Sequence, residues 1–263
     1  MQHYRLSSVL SDLALPASWP GSLLLLGAIG VSLFTWTRLA RRDDRLVLIY
    51  VAALLSAFLG AKLVYIFAEG SLDWPRPDRW LRLATGKSIL GALLGGYAGV
   101  EFAKRMLGYR SATGDWFAII APLGVAIGRV GCLVNGCCLG RVCPPAWYTI
   151  ADVHGVARWP AVPLEFAFNV AALAIFLGLR RATATRGPDS AYPLQGQHFH
   201  LYLMAYGGFR FVHEFWRETP ALAVGLSGYQ FAALGCVGLG AWGFVRRKRA
   251  QEPVTGADAI SQN

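Results

Sequence analysis

Seven apolar segments, each close to the length that crosses a lipid bilayer, constrain this chain more than any other feature of its sequence. A helix needs about 20 apolar residues to span the hydrocarbon core, where only structures that satisfy their own backbone hydrogen bonds persist. The segments cover residues 21–37, 46–68, 88–104, 115–134, 163–180, 198–216 and 227–245. We therefore predict an all-α integral membrane protein, a bundle of about seven transmembrane helices.

The composition supports a polytopic membrane protein. Hydrophobic residues make up 55% of the chain and charged residues 15%, with a mean hydropathy of +0.41, far from the usage of soluble domains. The third and fourth segments are rich in glycine, so we expect them to pack inside the bundle. We predict a single transmembrane domain over residues 1–250 and a disordered polar tail over residues 251–263.

The distribution of Lys and Arg predicts the orientation. With the N-terminus outside, the cytoplasmic segments hold 14 of these residues and the opposite segments hold 8, which favours N-terminus out and C-terminus in. The first 20 residues lack an apolar core behind a basic start, so we expect the first segment to act as its own signal anchor. The net charge of +10 comes from blocks at helix ends, which argues against a nucleic-acid partner.

The sixth segment carries five polar side chains on one predicted helix face. Their spacing of four, three, one and three residues aligns them: Tyr206, Arg210, His213, Glu214 and Arg217. Alone, Arg210 and Glu214 could be a neutralised intramembrane ion pair.

Arg129 lies inside the fourth segment, where a charge is costly and marks a functional site by default. Two arginines against one carboxylate leave positive charge, which the planar guanidinium fork can satisfy with a phosphate. No Gly-rich phosphate loop of the GxxxxGK[ST] type is present, so a phospholipid headgroup is favoured over a nucleotide. Lys62, in the second segment, has a structural alternative as a snorkelling or paired side chain.

Four of the five cysteines fall in one short stretch with the spacing C-x4-CC-x4-C: Cys132, Cys137, Cys138 and Cys143. This is not one of the usual zinc patterns, and we predict no metal and no cofactor. Apolar packing and a disulfide both remain open.

Four stretches of the sequence resemble the prolipoprotein diacylglyceryl transferases, bacterial inner-membrane enzymes that begin lipoprotein maturation. They are GAKLVYIF (60–67), GRVGCLVNGCCLG (128–140), RWPAVPLE (158–165) and YGGFRFVHEFWRE (206–218), followed by GLSGYQ at 225–230. In the second, Cys132 stands where the family usually has Asn, and Cys137 where it often has Glu. Lys62 replaces an arginine of the family.

The resemblance implies transfer of a diacylglyceryl group from phosphatidylglycerol, or another anionic phospholipid, to the cysteine thiol of a prolipoprotein lipobox. Glycerol phosphate leaves and a thioether forms. The resemblance also implies a multi-pass protein of the bacterial inner membrane. Its implied catalytic residues are Arg129, Arg210 and Glu214. His213, which the family motif does not specify, is a further catalytic candidate because it is a titratable side chain that could activate the acceptor thiol. Its implied substrate-binding residues are Asn135, Gly136, Gly131, Glu165, Arg158, Tyr206, Lys62 and Arg217.

One departure concerns a His-Gly-Gly-Leu motif of the family, whose histidine is implicated in catalysis. The corresponding segment is SILGALLGG, with Leu90 at the histidine position. Other interpretations therefore remain: a non-catalytic phospholipid-binding or transport protein, a paralogue that lipidates a different acceptor, or an enzyme that uses Cys132 or Cys137 as its own nucleophile.

Overall fold

The computed structural model describes residues 43–251, apart from 76, 153 and 185–193, together with isolated positions between 27 and 41. Helices dominate this part of the chain, which confirms the predicted all-α membrane class. They are α1 (Asp44–Asp73), α2 (Arg79–Thr85), α3 (Ile89–Met106), α4 (Gly114–Val134), α5 (Ala161–Ala184), α6 (His198–His213) and α7 (Gly228–Gln251). A 3₁₀ turn, Glu214–Trp216, extends α6.

Four of these helices are long and apolar enough to cross a membrane: Asp44–Gly70, Gly114–Val134, Ala161–Ala182 and Gly228–Arg247. The third predicted segment forms α3, which has 18 residues and ends in a charged stretch containing Glu101, Lys104 and Arg105. The sixth forms α6, which has 16 residues. Most of the first predicted segment and the tail after residue 251 lie outside the described residues.

Helices α1 and α3 approach closely because glycines face each other across their interface. A Cβ atom at Gly91 would collide with the carbonyl oxygen of Gly60, and one at Gly95 with that of Ser56. Ser88 is the N-cap of helix α3. Its hydroxyl accepts a hydrogen bond from the Gly91 N–H, as is usual for a serine at this position. The packing expected of the glycine-rich third segment is therefore present.

The fourth segment differs from expectation. A Cβ atom at Gly124, Gly128 or Gly131 would meet no atom of the described residues within 4 Å, so these glycines do not bring α4 against another described helix. Gly124 and Gly128 instead border a cavity, described below. Within the described part of the chain, the expected close packing is therefore not observed at these three positions.

The exposed face of α1 is strongly apolar. Leu55, Phe58 and Leu63 have exposed fractions of 68%, 58% and 59%, as expected for side chains that face lipid. The buried core lies between α3, α6 and α7, where Leu90, Tyr202 and Cys236 are almost fully buried.

Two short hairpins, which the sequence patterns did not predict, lie in connections between helices. β1 (Ile150–Ala151) pairs with β2 (Ala157–Arg158), and β3 (Ala221–Ala223) pairs with β4 (Leu226–Ser227), both antiparallel. They are too short for an alternating apolar pattern to show in the sequence.

Candidate active site

A buried network centred on Glu165 joins three helices. Glu165 is fully buried. Its Oε1 accepts a hydrogen bond from Nη2 of Arg129 at 2.8 Å and another from the hydroxyl of Tyr206 at 2.6 Å. Its Oε2 accepts a hydrogen bond from Nη1 of Arg210 at 2.8 Å. Because burying an unpaired charge is costly, the two guanidinium groups and the hydroxyl stabilise Glu165 as a carboxylate.

Chain direction explains how distant residues meet here. Arg129 lies near the end of α4, Glu165 near the start of α5, and Arg210 in the last turn of α6. Consecutive helices that run in opposite directions bring these three points to one end of the bundle. Tyr206 and Arg210 are one helical turn apart, so both side chains reach the same carboxylate.

A second layer of side chains holds Glu165 in place. The side-chain amide of Asn169 donates to the carbonyl oxygen of Glu165 at 2.7 Å, and the hydroxyl of Tyr202 donates to Asn169 Oδ1 at 2.7 Å. The rings of Tyr202 and Tyr206 stack, with centroids 5.6 Å apart. The sequence analysis missed Tyr202 and Asn169, although Tyr202 continues the helical spacing one turn before Tyr206.

A second carboxylate extends the network. Glu214 Oε2 accepts a hydrogen bond from Nη2 of Arg210 at 2.8 Å and lies 3.7 Å from Nε of Arg217. We call this group of five side chains the arginine–glutamate cluster: Arg129, Arg210, Arg217, Glu165 and Glu214. The cluster therefore holds three cations and two anions. One positive charge is left without a counter-charge within the cluster.

The cluster also has unused hydrogen-bonding capacity. The Nε atoms of Arg129 and Arg210, and Oε1 of Glu214, are buried without a hydrogen-bond partner among the described residues. Buried donors of this kind normally have a partner. Excess positive charge together with free guanidinium donors suits an anion such as a phosphate.

His213 lies beside the cluster and accepts a hydrogen bond. Trp159 Nε1 donates to His213 Nε2 at 3.2 Å, and the ring of His213 stacks on Phe209 with centroids 4.9 Å apart. A neutral histidine that accepts through Nε2 carries its proton on Nδ1, and Nδ1 is buried without a hydrogen-bond partner in the described chain. In this neutral tautomer, the Nδ1–H group of His213 can donate a hydrogen bond.

The connection between α4 and α5 is tied to the end of α6 by Arg158. Its guanidinium donates to Asp152 Oδ2 at 2.7 Å, to Glu218 Oε2 at 3.1 Å and to the carbonyl oxygen of Gly140 at 3.4 Å. The hydrogen bond from Arg158 lowers the pKa of Asp152 to about 2. These contacts give Arg158 a role in ordering the connection.

Helix α4 ends in a glycine turn that carries several predicted site residues. The Cys137 N–H donates to the Cys132 carbonyl and the Gly136 N–H to the Leu133 carbonyl, the two bonds of a Schellman motif. Gly136 has the left-handed conformation (φ +59°) that this motif requires. Asn135, just before it, is exposed, and Gly131 has open space beside it.

Three thiols meet at this turn. The Sγ atoms of Cys132, Cys137 and Cys138 lie within 4.8 Å of one another. Arg129 Nη1 donates to Cys132 Sγ at 3.7 Å, so one guanidinium contacts both the Cys132 thiol and Glu165.

Lys62 has a structural position. Its Nζ donates to the carbonyl oxygens of Leu83, Ala84 and Gly86, which lie at the C-terminal end of α2. A cation there satisfies the final carbonyls of a helix and complements its dipole. The contacts follow the structural alternative for Lys62 and do not include the arginine–glutamate cluster.

An apolar cavity of about 330 Å³ lies between α1, α3, α4 and α6. Gly128, next to Arg129 in sequence, borders it at one end. Glu101, Lys104 and Arg247 border it at the other. Its largely apolar walls suit hydrocarbon chains.

Comparison with known proteins relates the chain to one family. A model of the prolipoprotein diacylglyceryl transferase family matches residues 9–246. The chain is 27% identical over 252 residues to a phosphatidylglycerol–prolipoprotein diacylglyceryl transferase of Dehalococcoides mccartyi, covering 91% of this chain and 92% of that protein. It is 33% identical over 216 residues to the enzyme of the same name from Methylobacillus flagellatus, covering 79% and 77%.

Proposed function

The chain belongs to the prolipoprotein diacylglyceryl transferase family, and we propose that its arginine–glutamate cluster binds the phosphate of the donor phospholipid. Like its relatives, the chain is a transferase of lipoprotein maturation that uses phosphatidylglycerol and a prolipoprotein. The finer proposal is that the acceptor is the cysteine thiol of the lipobox.

The observation that carries the proposal is the charge imbalance of the buried cluster. Three guanidinium groups pair with two carboxylates, and the Nε atoms of Arg129 and Arg210 have no hydrogen-bond partner among the residues that the structure describes. A phosphodiester brings one negative charge, which neutralises the excess positive charge of the cluster, and several acceptor oxygens, which can bind the unpaired guanidinium donors. Tyr206 and Glu165 hold the two arginines in position, and the acyl chains occupy the cavity that Gly128 borders.

The chemistry follows from this placement. The acceptor thiolate attacks the carbon of the diacylglyceryl group that is bonded to a phosphate oxygen. A carbon–sulfur bond forms, and the bond between that carbon and the phosphate oxygen breaks. The bonding electrons pass to glycerol phosphate, whose phosphate gains a second negative charge. Arg129 and Arg210 stabilise that growing charge, and preorganised donors of this kind commonly contribute 10²–10³-fold in rate.

His213 and Glu214 complete the proposed machinery. His213 lies next to the cluster with its Nδ1 proton free to donate, which suits a leaving phosphate oxygen. Glu214 orients Arg210 and keeps Oε1 free. Leu90 is buried and supplies no acid or base. Asn135 and Gly136 belong to the turn that ends α4, and Gly131 lies in the last turn of that helix. Arg217 and Arg158 donate hydrogen bonds to the carbonyl oxygens of Cys138 and Gly140 in the connection that follows.

We further propose seven membrane spans in a single domain over residues 1–250, in the bacterial inner membrane. Four helices satisfy the length and hydropathy needed to span, and the cluster of Lys and Arg at alternate ends supports N-terminus out and C-terminus in. This orientation exposes the Schellman turn and its connection to the outer side, where a translocated prolipoprotein would present its cysteine.

The test is direct transfer. Purified protein in detergent is incubated with phosphatidylglycerol and a lipobox peptide, and mass spectrometry measures the diacylglyceryl adduct on cysteine. We expect an adduct with the unaltered chain and with Arg110→Ala, an exposed arginine outside the cluster. Arg129→Lys keeps the charge but loses the planar fork, and should slow transfer by about 10²–10³-fold. Retained phospholipid binding without any adduct would favour a binding protein or a different acceptor.

A further inference from the structure

The backbone of the Schellman turn holds three cysteine thiols together. The motif places Cys137 beside Cys132, the pair of positions that usually make its hydrophobic contact. Cys138 follows with φ +62°, a conformation uncommon for residues other than glycine. This turn brings the third thiol back toward the first two. Local hydrogen bonds therefore fix the approach of Cys137 to Cys132, and Cys138 is the next residue along the chain.

The geometry of the three sulfurs is close to that of a zinc site. A zinc–sulfur bond of about 2.3 Å in a tetrahedral arrangement separates neighbouring sulfurs by about 3.8 Å. The three Sγ atoms already lie within 4.8 Å of one another. Cys137 and Cys138 are exposed and Cys132 is half-buried, so a metal ion and a further ligand have access.

Two guanidinium groups lie next to the three cysteines. Arg129 donates to Cys132 Sγ, and Arg217 Nη1 donates to the Cys138 carbonyl at 3.4 Å. Three thiolates with one Zn²⁺ carry a net charge of −1, which the adjacent guanidinium groups compensate. Three protein ligands and an open fourth position are the pattern of a catalytic zinc site.

We propose that Cys132, Cys137 and Cys138 bind a zinc ion whose open position takes the acceptor thiol. The inference rests on the proposed function, which needs a thiolate acceptor beside the phosphate. The two carboxylates of the cluster are paired with arginines, and Arg129 contacts both the Cys132 thiol and Glu165. The zinc site would therefore lie next to the phosphate position proposed above.

The step is balanced without any oxidant or reductant. The acceptor thiol binds zinc and releases its proton to solvent, since a coordinating thiol is deprotonated outright. The zinc-bound sulfur then uses a lone pair to attack the glycerol carbon, and glycerol phosphate leaves with the electrons of the broken carbon–oxygen bond. The thioether product is neutral and dissociates from zinc.

The first test measures the metal itself. The reduced full chain, in detergent, is equilibrated with zinc, desalted, and analysed for metal content. We expect one zinc per chain for the unaltered protein and for Cys143→Ser, whose cysteine lies on the same connection but outside the group of three thiols. Replacing Cys132, Cys137 and Cys138 together with serine should remove the zinc. Equal zinc in both variants would overturn the proposal. So would a measured mass of the unaltered chain, under mild reduction, that is two hydrogen atoms below the mass calculated with all cysteines as free thiols, because it indicates a disulfide.

The second test asks whether the acceptor reaches the metal. In cobalt-substituted protein, a lipobox peptide with cysteine should change the thiolate-to-cobalt absorption, and the same peptide with serine should not. Removal of zinc should reduce transfer by at least tenfold while phosphatidylglycerol binding persists. Transfer at an unchanged rate without zinc refutes this inference and leaves the proposed function standing. A changed cobalt spectrum without transfer refutes the proposed function and not the metal site.

Discussion

Replacing Glu165 with glutamine tests the charge balance at the centre of the site. The change keeps the size of the side chain but removes the negative charge shared by Arg129 and Arg210. Breaking a buried ion pair by removing one partner costs about 3–5 kcal/mol. At about 2–4 °C per kcal/mol for a chain near this size, the apparent Tm should fall by roughly 6–20 °C.

The same variant should respond selectively to lipid. Its cluster carries three cations and one anion, so an anionic headgroup can replace the missing carboxylate charge. In neutral detergent, phosphatidylglycerol should restore a large part of the lost Tm, whereas zwitterionic phosphatidylcholine should not. Glu218→Gln is the matched control, because Glu218 pairs with Arg158 while 56% exposed, and exposed pairs contribute little. A Glu165→Gln protein that melts like the unaltered chain, or that both lipids rescue equally, would refute the reasoning.

Three further predictions concern other parts of the structure. Arg210→Lys cannot bridge Glu165 and Glu214 with one planar fork, so the turnover number should fall by about 10²–10³-fold in the transfer assay; an unchanged turnover number would count against this role. Gly91→Leu forces a side chain into the backbone of α1 and should reduce the yield of monodisperse protein in size-exclusion chromatography, in contrast to Gly124→Leu, which has open space. Because the pKa of Asp152 is depressed in the folded connection, its carboxylate stabilises that connection at pH values above the unfolded pKa of about 3.9. The hydrogen-exchange protection factors of residues 140–160, which are corrected for the pH dependence of intrinsic exchange, should therefore be constant from pH 7 to 5 and should fall below about pH 4; a fall already at pH 6 would contradict this.

The sequence predicts the part of the site that lies on one helix. Spacing alone aligns Tyr206, Arg210 and Glu214, and the structure joins Arg210 to Glu214 at 2.8 Å. The sequence could not show that Glu165, from another helix, binds both Arg129 and Arg210. Helical spacing carries no information on which helices are neighbours. Only the resemblance to the family marked Glu165 as a site residue.

The cysteines show a different limit. The spacing of Cys132, Cys137 and Cys138 argued against a metal because it lacks the usual C-x2-C pattern. In the structure, the positive φ values of Gly136 and Cys138 bring the three thiols together. Glycine is common at the residue that ends a helix in the left-handed conformation, whereas a left-handed cysteine has no comparable sequence pattern.

Lys62 illustrates how local geometry decides a role that composition leaves open. A lysine within an apolar helix can bind a ligand or pair internally, and both remained possible from the sequence. The C-terminal carbonyls of α2 lie within reach of its Nζ, and this arrangement depends on the loop between α1 and α3. The sequence does not determine that loop's path.

The location of the phospholipid phosphate tests the central claim most directly. We would determine the structure of the protein with bound phosphatidylglycerol and measure the distances from the phosphate oxygens to the guanidinium nitrogens. The account predicts hydrogen bonds of about 2.7–3.2 Å to Arg129 and Arg210, with acyl chains in the cavity beside Gly128. A phosphate bound instead to Lys104 and Arg247, at the opposite end of that cavity, would contradict it.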